Sequence, residues 1–199
     1  KEKITVNLKG GLGNQLFQIL AGVNYANKHN KEFFIDYSNQ FHASQGNHPN
    51  EYKSNLFEKI PEGKIDSTFK LYNEKRYEYD EIPFIEGNVL LEGYFQSKEY
   101  FNKEDLKIIS FDSLQKKSEI IDNFIDDNTV GIHVRGGDYK IYPKHNVIKE
   151  QYYNKCISKF MDSNFYVVTD DRNYASSLLP DGVKVFNGKN EIGDFLFLT

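Results

Sequence analysis

The spacing of hydrophobic and polar positions changes twice at the start of the chain. Residues 4–8 are a short run with β-branched side chains, which is typical of a strand. Apolar residues then recur every three or four positions within 16–28, which predicts a helix. Residues 33–36, three apolar residues followed by Asp36, predict a second strand. Because a glycine-rich turn joins the first strand to the helix, this order of elements predicts a βαβ unit.

The remainder of the chain continues to alternate strand-like and helix-like patterns. Residues 37–80 are polar and lack a clear period, which predicts long loops with one short helix. The other predicted elements are strands at 89–95, 129–134, 165–169 and 183–186, and helices beginning within 97–101, at 114–125, 150–161 and 173–179, and from Glu191 onward. Strands that alternate with helices pair in parallel, so the expected fold class is α/β.

Composition narrows the class of protein. The chain has 199 residues, 39% hydrophobic and 27% charged, which suits a globular protein of one or two domains. Its net charge of −4 argues against a surface that coats nucleic acid. No run of about 18 apolar residues occurs, so no membrane span is expected and the predicted compartment is the cytoplasm. Cys156 is the only cysteine, which excludes an intrachain disulfide and argues against a zinc cluster.

Residues 10–15, GGLGNQ, lie where the first strand passes into the first helix. A helix N-terminus there can bind a phosphate, and the same glycines equally suit a tight turn with no ligand. A dinucleotide-binding fingerprint requires a third glycine where Leu16 stands, although Asp36 matches the acid that binds the ribose in that fingerprint. Both interpretations stay open, and an NAD-type dinucleotide-binding oxidoreductase is therefore an alternative function.

The strongest candidate site is HVRGGDY at 133–139, which follows a predicted parallel strand. Open α/β sheets bind their ligands at this edge. Arg135 is one of only three arginines, and its guanidinium can form bidentate bonds to a phosphate. Asp138 can accept a proton from a hydroxyl or anchor the loop. The alternative is a structural pair of Arg135 and an aspartate that braces a turn.

Two aspartates, Asp170 and Asp171, follow the next strand of the second half. Adjacent acids suggest a metal site, but no Asp-x-Asp triplet occurs in the chain, so no metal is predicted. A carboxylate here can accept hydrogen bonds from the edge of a base, or it can cap the helix that follows. The sequence does not decide between these two roles.

Three segments together resemble the α-1,2-fucosyltransferase family, glycosyltransferase family 11. They are GGLGNQLFQ after the first strand, LEGYFQSKEYF in mid-chain and HVRGGDY in the second half, in the family's order. The usual form of the third segment in this family is HxRRGDY, and Gly136 stands here in place of the second arginine. The family also continues into a further donor-facing motif, of which residues 191–199 resemble the start.

This resemblance implies a GT-B-like fold in which two Rossmann-like domains face a cleft. The N-terminal domain, at 1–125, would be the acceptor side, and 126–199 would be an incomplete domain for the donor. The implied reaction transfers L-fucose from GDP-fucose to the 2-hydroxyl of a terminal galactose on a glycan, with inversion. No cofactor, metal or nucleic-acid partner is implied. A non-catalytic remnant that binds a nucleotide or sugar is a further alternative.

The resemblance also implies roles for individual residues. Arg135 would hold the donor diphosphate, and His133 would line the donor site. Asp138 is the candidate general base, and Asp170 would read the guanine edge. The loop of the other domain would face the donor through four residues: Gly11, Gly13, Asn14 and Gln15.

Overall fold

The computed structural model describes residues 1–38, 46–111, 125–141, 148–186 and 191–198, apart from the side chain of Asp138. The chain divides into two compact units, Lys1–Leu114 and Gln115–Thr199. In the part of the chain that is described, no helix is both long enough and apolar enough to cross a membrane. The proposed assignment of 1–125 to the acceptor and 126–199 to the donor stays a prediction.

The first unit is built on a parallel sheet. Its strands are β1 (Lys3–Val6), β2 (Glu32–Phe33), β3 (Lys70–Asn73) and β4 (Val89–Glu92), in the spatial order β2-β1-β4-β3. Helix α1 (Leu12–Lys28) and the single turn α2 (Asn50–Lys53) accompany the sheet, with short 3₁₀ turns at Lys98–Tyr100 and Asp105–Ile108. The βαβ unit predicted at the start of the chain is thus confirmed.

The core of this unit explains why its elements form where they do. Alternate residues Ile4 and Val6 of β1, with Val89 and Leu91 of β4, are almost fully buried, and so is Ile19 of α1. Burial of a Val, Leu or Ile side chain contributes roughly 1.5–3 kcal/mol, so this set of contacts fixes the register of the central strands.

Two differences from the predicted elements concern the first unit. Helix α1 begins at Leu12, four positions before the predicted start, because Leu12 is buried and extends the apolar face. The region 37–80, predicted as loops, contains strand β3, in which only Tyr72 is buried. An edge strand with one buried residue leaves no alternating pattern. The helix predicted at 114–125 falls on residues outside the described ranges, except for its last residue, Ile125.

The second unit carries a separate three-stranded parallel sheet. Strands β5 (Thr129–Val134), β6 (Asn164–Thr169) and β7 (Lys184–Val185) lie in the order β5-β6-β7. The helices are α3 (Glu150–Ile157), α4 (Arg172–Leu178) and α5 (Glu191–Phe197), and a 3₁₀ turn spans Gly137–Lys140. The expected α/β alternation is confirmed, although α3 ends before the predicted boundary at 161.

Both faces of this second sheet are covered. On one face, Val134 and Val167 pack with Tyr153 of α3 and Ala175 of α4. On the other, Val168 packs with Phe186 and with Phe197 of α5. Because the central strand β6 is buried on both sides, its sequence reads as a continuous apolar run. The carboxyl ends of β5 and β6 are therefore held rigidly next to each other.

Candidate functional site

The carboxyl ends of β5 and β6 bring the two polar segments of the second unit together. The strands pair in parallel with Val134 opposite Thr169, so Arg135 and Asp170 both leave the sheet at the same edge. The residues that follow them, Gly136 and Asp171, extend this edge. The site that the sequence placed after these strands thus forms one continuous surface.

Arg135 is held by Asp170. Its Nη1 lies 3.1 Å from Asp170 Oδ2, and the backbone N–H of Gly136 donates to Asp170 Oδ1 at 2.7 Å. The guanidinium also lies over the ring of Tyr139, at 5.5 Å from the centroid. With 44% of its side chain exposed, Arg135 is oriented by protein contacts and still accessible to a ligand.

The carboxylate that faces Arg135 across the sheet edge is therefore that of Asp170. In this arrangement both of its oxygens accept bonds from the Arg135–Gly136 segment. Its predicted contact with a guanine edge stays a prediction. The backbone of Asp138 lies in the 3₁₀ turn, and its predicted role as general base is a prediction as well.

Gly136 is enclosed by the next helix. A Cβ atom at this position would lie 2.8 Å from Cβ of Asp171 and 2.8 Å from Cδ1 of Tyr174. Carbon atoms at van der Waals contact are about 3.5–4.0 Å apart, so no larger residue fits without a shift. The glycine that replaces the family's second arginine is thus a requirement of the local packing.

Asp171 has the capping role that the sequence left open. Its Oδ1 accepts the N–H of Tyr174 at 2.9 Å, at the N-terminus of α4. Its other carboxylate oxygen accepts from the ammonium of Lys140, which also lies 5.1 Å from the ring centroid of Tyr174. The hydrogen bond from Lys140, followed by that from Tyr174, holds the pKa of Asp171 below its ordinary value.

Lys140 is a residue that the sequence reasoning missed. The chain is rich in lysine, so no compositional signal marks this one, in contrast to Arg135. The available signal was its place in the turn that follows β5. Two cations, Arg135 and Lys140, thus flank the Gly136–Gly137 turn, and each is held by one of the two aspartates that follow β6.

His133 is exposed at the end of β5. It alternates with the buried Val134, and it shares its face with Gly131, which packs near Phe197 and Leu198. His133 therefore lies on the side of the sheet that α5 covers, and Arg135 follows at the edge. Its predicted place in the donor site stays a prediction.

The glycine-rich segment of the first unit forms the turn into α1. Gly10 has a φ of +78°, a left-handed conformation that glycine adopts without strain, and Gly11 is the extended residue that precedes the helix. Gly13 and Asn14 then lie in the first turn of α1, with open space around the position of a Gly13 Cβ. The exposed backbone of Gly13 is thus compatible with close approach of a ligand.

Gln15 is buried within this segment, with 1% of its surface exposed. Its Nε2 donates to the carbonyl oxygen of Gly10 at 2.9 Å and to that of Asn47 at 2.8 Å. Gln15 therefore stabilises the glycine turn from its buried side. Its predicted contact with the donor, like those of Gly11, Gly13 and Asn14, stays a prediction.

Asp36 is buried, and its carboxylate is bonded both by its own loop and by the distant segment Lys64–Ile65. Its carboxylate accepts from the N–H and hydroxyl of Ser38 and from the N–H of Ile65. Burial raises the pKa of Asp36, but the hydrogen bonds from Ser38 and Ile65 outweigh it and hold the pKa below its ordinary value. This arrangement explains Asp36 as a structural residue and gives no support to a ribose-binding role.

Comparison with known proteins identifies a relative in sequence. No protein-family model matches the chain. An alpha-1,2-colitosyltransferase from Escherichia coli is 25% identical over 236 aligned residues, which cover 98% of this chain and 80% of that protein. The resemblance to the fucosyltransferase family is confirmed.

Solved structures with a similar fold are fucosyltransferases. The fucosyltransferase NodZ from Bradyrhizobium matches 94% of this chain and 78% of its own, with a TM-score of 0.53 and 13% identity. NodZ alpha-1,6-fucosyltransferase soaked with GDP-fucose matches 99% of this chain and 82% of its own, with a TM-score of 0.51 and 12% identity. The GT-B-like α/β fold expected from the sequence is thus confirmed.

Within the described ranges, no group of three or more His, Cys, Asp or Glu side chains is arranged to hold a metal ion. Asp170 and Asp171 instead bind Arg135 and Lys140 respectively. Metal independence of the reaction stays a prediction.

Proposed function

We propose that this chain is an inverting glycosyltransferase that transfers L-fucose from GDP-fucose to the 2-hydroxyl of a terminal galactose. The observation that carries the proposal is Arg135, presented at the carboxyl edge of β5 and oriented by Asp170. The similarity to a colitosyltransferase and to NodZ structures soaked with GDP-fucose or co-crystallized with GDP supports a GDP-linked donor.

In the proposed mechanism, Arg135 binds the diphosphate of the donor. As the bond between fucose and GDP breaks, negative charge develops on the departing GDP, and the guanidinium stabilises it. Lys140, on the other side of the glycine turn, adds a second positive charge. Asp138 accepts the proton of the acceptor hydroxyl as that oxygen bonds to the anomeric carbon from the opposite face, which inverts the configuration.

Asp170 has a positioning role in this proposal. It keeps the Arg135 fork fixed before the donor arrives, so that less conformational entropy is lost on binding. Each carboxylate oxygen has two lone pairs, so Asp170 can accept further hydrogen bonds from a guanine while it retains Arg135.

The decisive experiment is replacement of Arg135. Charge-assisted hydrogen bonds contribute roughly 1.5–3 kcal/mol, so Arg135→Ala should weaken GDP binding roughly 10- to 150-fold and abolish transfer. The half-exposed pair with Asp170 contributes only about 0–1 kcal/mol, so the variant should remain folded. Arg135→Lys should retain part of the affinity, because it keeps the charge without the bidentate fork.

The assay combines GDP-fucose with a panel of β-galactosides, with a chelator present. Lys155→Ala, which removes an exposed cation on α3, is the matched control and should behave as the wild type. Undiminished turnover in Arg135→Ala would refute the assignment of this site. GDP binding by the wild type without transfer to any galactoside would favour a non-catalytic nucleotide-binding protein.

A further inference from the structure

Arg135 and Lys140 are held in the same way at the carboxyl edge of the second sheet. Each is bonded to one of the two aspartates that follow β6. Each also lies over an aromatic ring. The guanidinium of Arg135 lies 5.5 Å from the ring centroid of Tyr139, and the ammonium of Lys140 lies 5.1 Å from that of Tyr174. Both distances fall within the roughly 6 Å over which a ring attracts a cation.

The turn after β5 and the start of α4 supply these two rings. Tyr139 lies in the 3₁₀ turn Gly137–Lys140, and Tyr174 is in the first turn of α4. The N–H of Lys140 donates to the carbonyl oxygen of Gly136 at 3.1 Å, which closes the turn. Tyr174 packs against the buried residues of this unit. Both tyrosines are partly buried, so the positions of their rings are restrained by the fold.

The cations are more exposed than the carboxylates that hold them. The side chains of Arg135 and Lys140 are 44% and 40% exposed, whereas those of Asp170 and Asp171 are 28% and 22% exposed. An anionic ligand at this edge therefore has better access to the cations than to the acids. An arginine has five N–H donors and a lysine three, so a single carboxylate does not use all of them.

An aromatic ring restrains a cation without neutralising it. A carboxylate offsets a full positive charge, whereas a ring carries no net charge and attracts the cation through its quadrupole. The two rings therefore orient Arg135 and Lys140 and leave their attraction for a phosphate in place. Long side chains lose rotamer freedom when a ligand orders them, so restraint before binding raises the affinity for that ligand.

We propose that Tyr139 and Tyr174 are positioning residues, which hold Arg135 and Lys140 in the orientation that receives the diphosphate of the donor. This inference rests on the proposed transferase function. It assigns to the site two residues that act through the cations and not on the donor itself. If the rings served only to pack against their neighbours, their shape would matter and their charge distribution would not.

The test changes the charge distribution of each ring and keeps its shape. Tyr139→Phe and Tyr174→Phe retain the ring and are the reference variants. Trifluorophenylalanine and pentafluorophenylalanine at the same positions have rings of similar shape, whose faces attract a cation progressively less. Affinity for GDP is measured by isothermal titration calorimetry. A cation–π contact at a partly exposed site corresponds to a change in affinity of about two- to five-fold. Each pentafluorinated variant should therefore bind GDP about two- to five-fold more weakly than its Phe reference.

Tyr152 provides the matched control. It is an exposed tyrosine of α3 whose ring contacts that of Tyr153, and pentafluorophenylalanine in its place should bind GDP as Tyr152→Phe does. Urea denaturation of the same samples verifies that every variant is folded.

A stepwise loss of GDP affinity with fluorination at positions 139 and 174, and not at 152, would support the proposal. Equal affinity of the Phe and fluorinated variants at position 139 or 174 would overturn the assignment of that tyrosine. Absence of GDP binding by the wild type would instead contradict the proposed function.

Discussion

Gly136 offers the sharpest test of how the second unit is built. Its φ is outside the left-handed region, so an alanine is compatible with the backbone, and only packing opposes it. The added methyl group would lie 2.8 Å from Asp171 and from Tyr174, so each must move by about 0.7 Å to reach contact distance. Neither neighbour can move freely, because the Asp171 carboxylate accepts the N–H of Tyr174 and the Asp171 N–H donates to the hydroxyl of Thr169.

The expected cost follows from these distances. Overpacking of a well-packed site typically costs about 1–3 kcal/mol. Replacing a glycine stabilises by about 0.4–1 kcal/mol, because the unfolded chain loses freedom. Gly136→Ala should therefore lower the free energy of unfolding by about 1–2 kcal/mol. Gly136→Arg, which restores the family's usual residue, should be at least as unstable and should gain no affinity for GDP.

Denaturation in urea, followed by hydrogen exchange of the amides in β5 and β6, measures this loss and locates it. Gly13→Ala is the matched control, since nothing lies within 4 Å of its added methyl group. Within helix α1 this change should stabilise by up to about 1 kcal/mol. If Gly136→Ala proved as stable as the wild type, the packing of Asp171 and Tyr174 against the glycine turn would be wrong.

Two further predictions concern single charged residues. The pKa of Asp36 is lowered in the folded state, so its stabilisation is complete above its ordinary pKa of 3.8 and is lost as the pH falls through the folded pKa. Asp36→Asn should therefore flatten the acid side of a plot of unfolding free energy against pH, and an unchanged acid side would contradict this. Lys140→Gln should weaken GDP binding several-fold in a calorimetric titration, whereas undiminished affinity would remove Lys140 from the site.

The strands of the second unit could be predicted from sequence, and strand β3 could not. Strands β5 and β6 have covered faces, so their apolar runs are visible without any knowledge of the fold. Strand β3 lies at an edge and buries only Tyr72. Its strand conformation comes from pairing with β4, a long-range contact that leaves no local pattern.

The candidate site could likewise be predicted only in part from the sequence. That Arg135 and Asp170 follow parallel strands was visible in the sequence, and with it the expectation of a shared edge. The pairing of Arg135 with Asp170 depends on the strand register, which puts Val134 opposite Thr169. This register cannot be predicted from the sequence. Lys140 was missed for the same reason, because its significance lies in its contact with Asp171.

Each unit holds a cation at the carboxyl edge of its sheet in the same way. In each, a cation that follows one parallel strand is bonded to a carboxylate from the neighbouring strand: Arg135 to Asp170, and Lys9 to Glu92. The carboxylate partner orients the cationic side chain and offsets its positive charge. This lowers the affinity of the cation for an anionic ligand and favours selectivity. The more exposed guanidinium of Arg135, next to a second cation, suits a diphosphate. Lys9 is more enclosed than Arg135, and its ammonium is bonded to the carboxylate of Glu92, so its charge is less available to an anionic ligand.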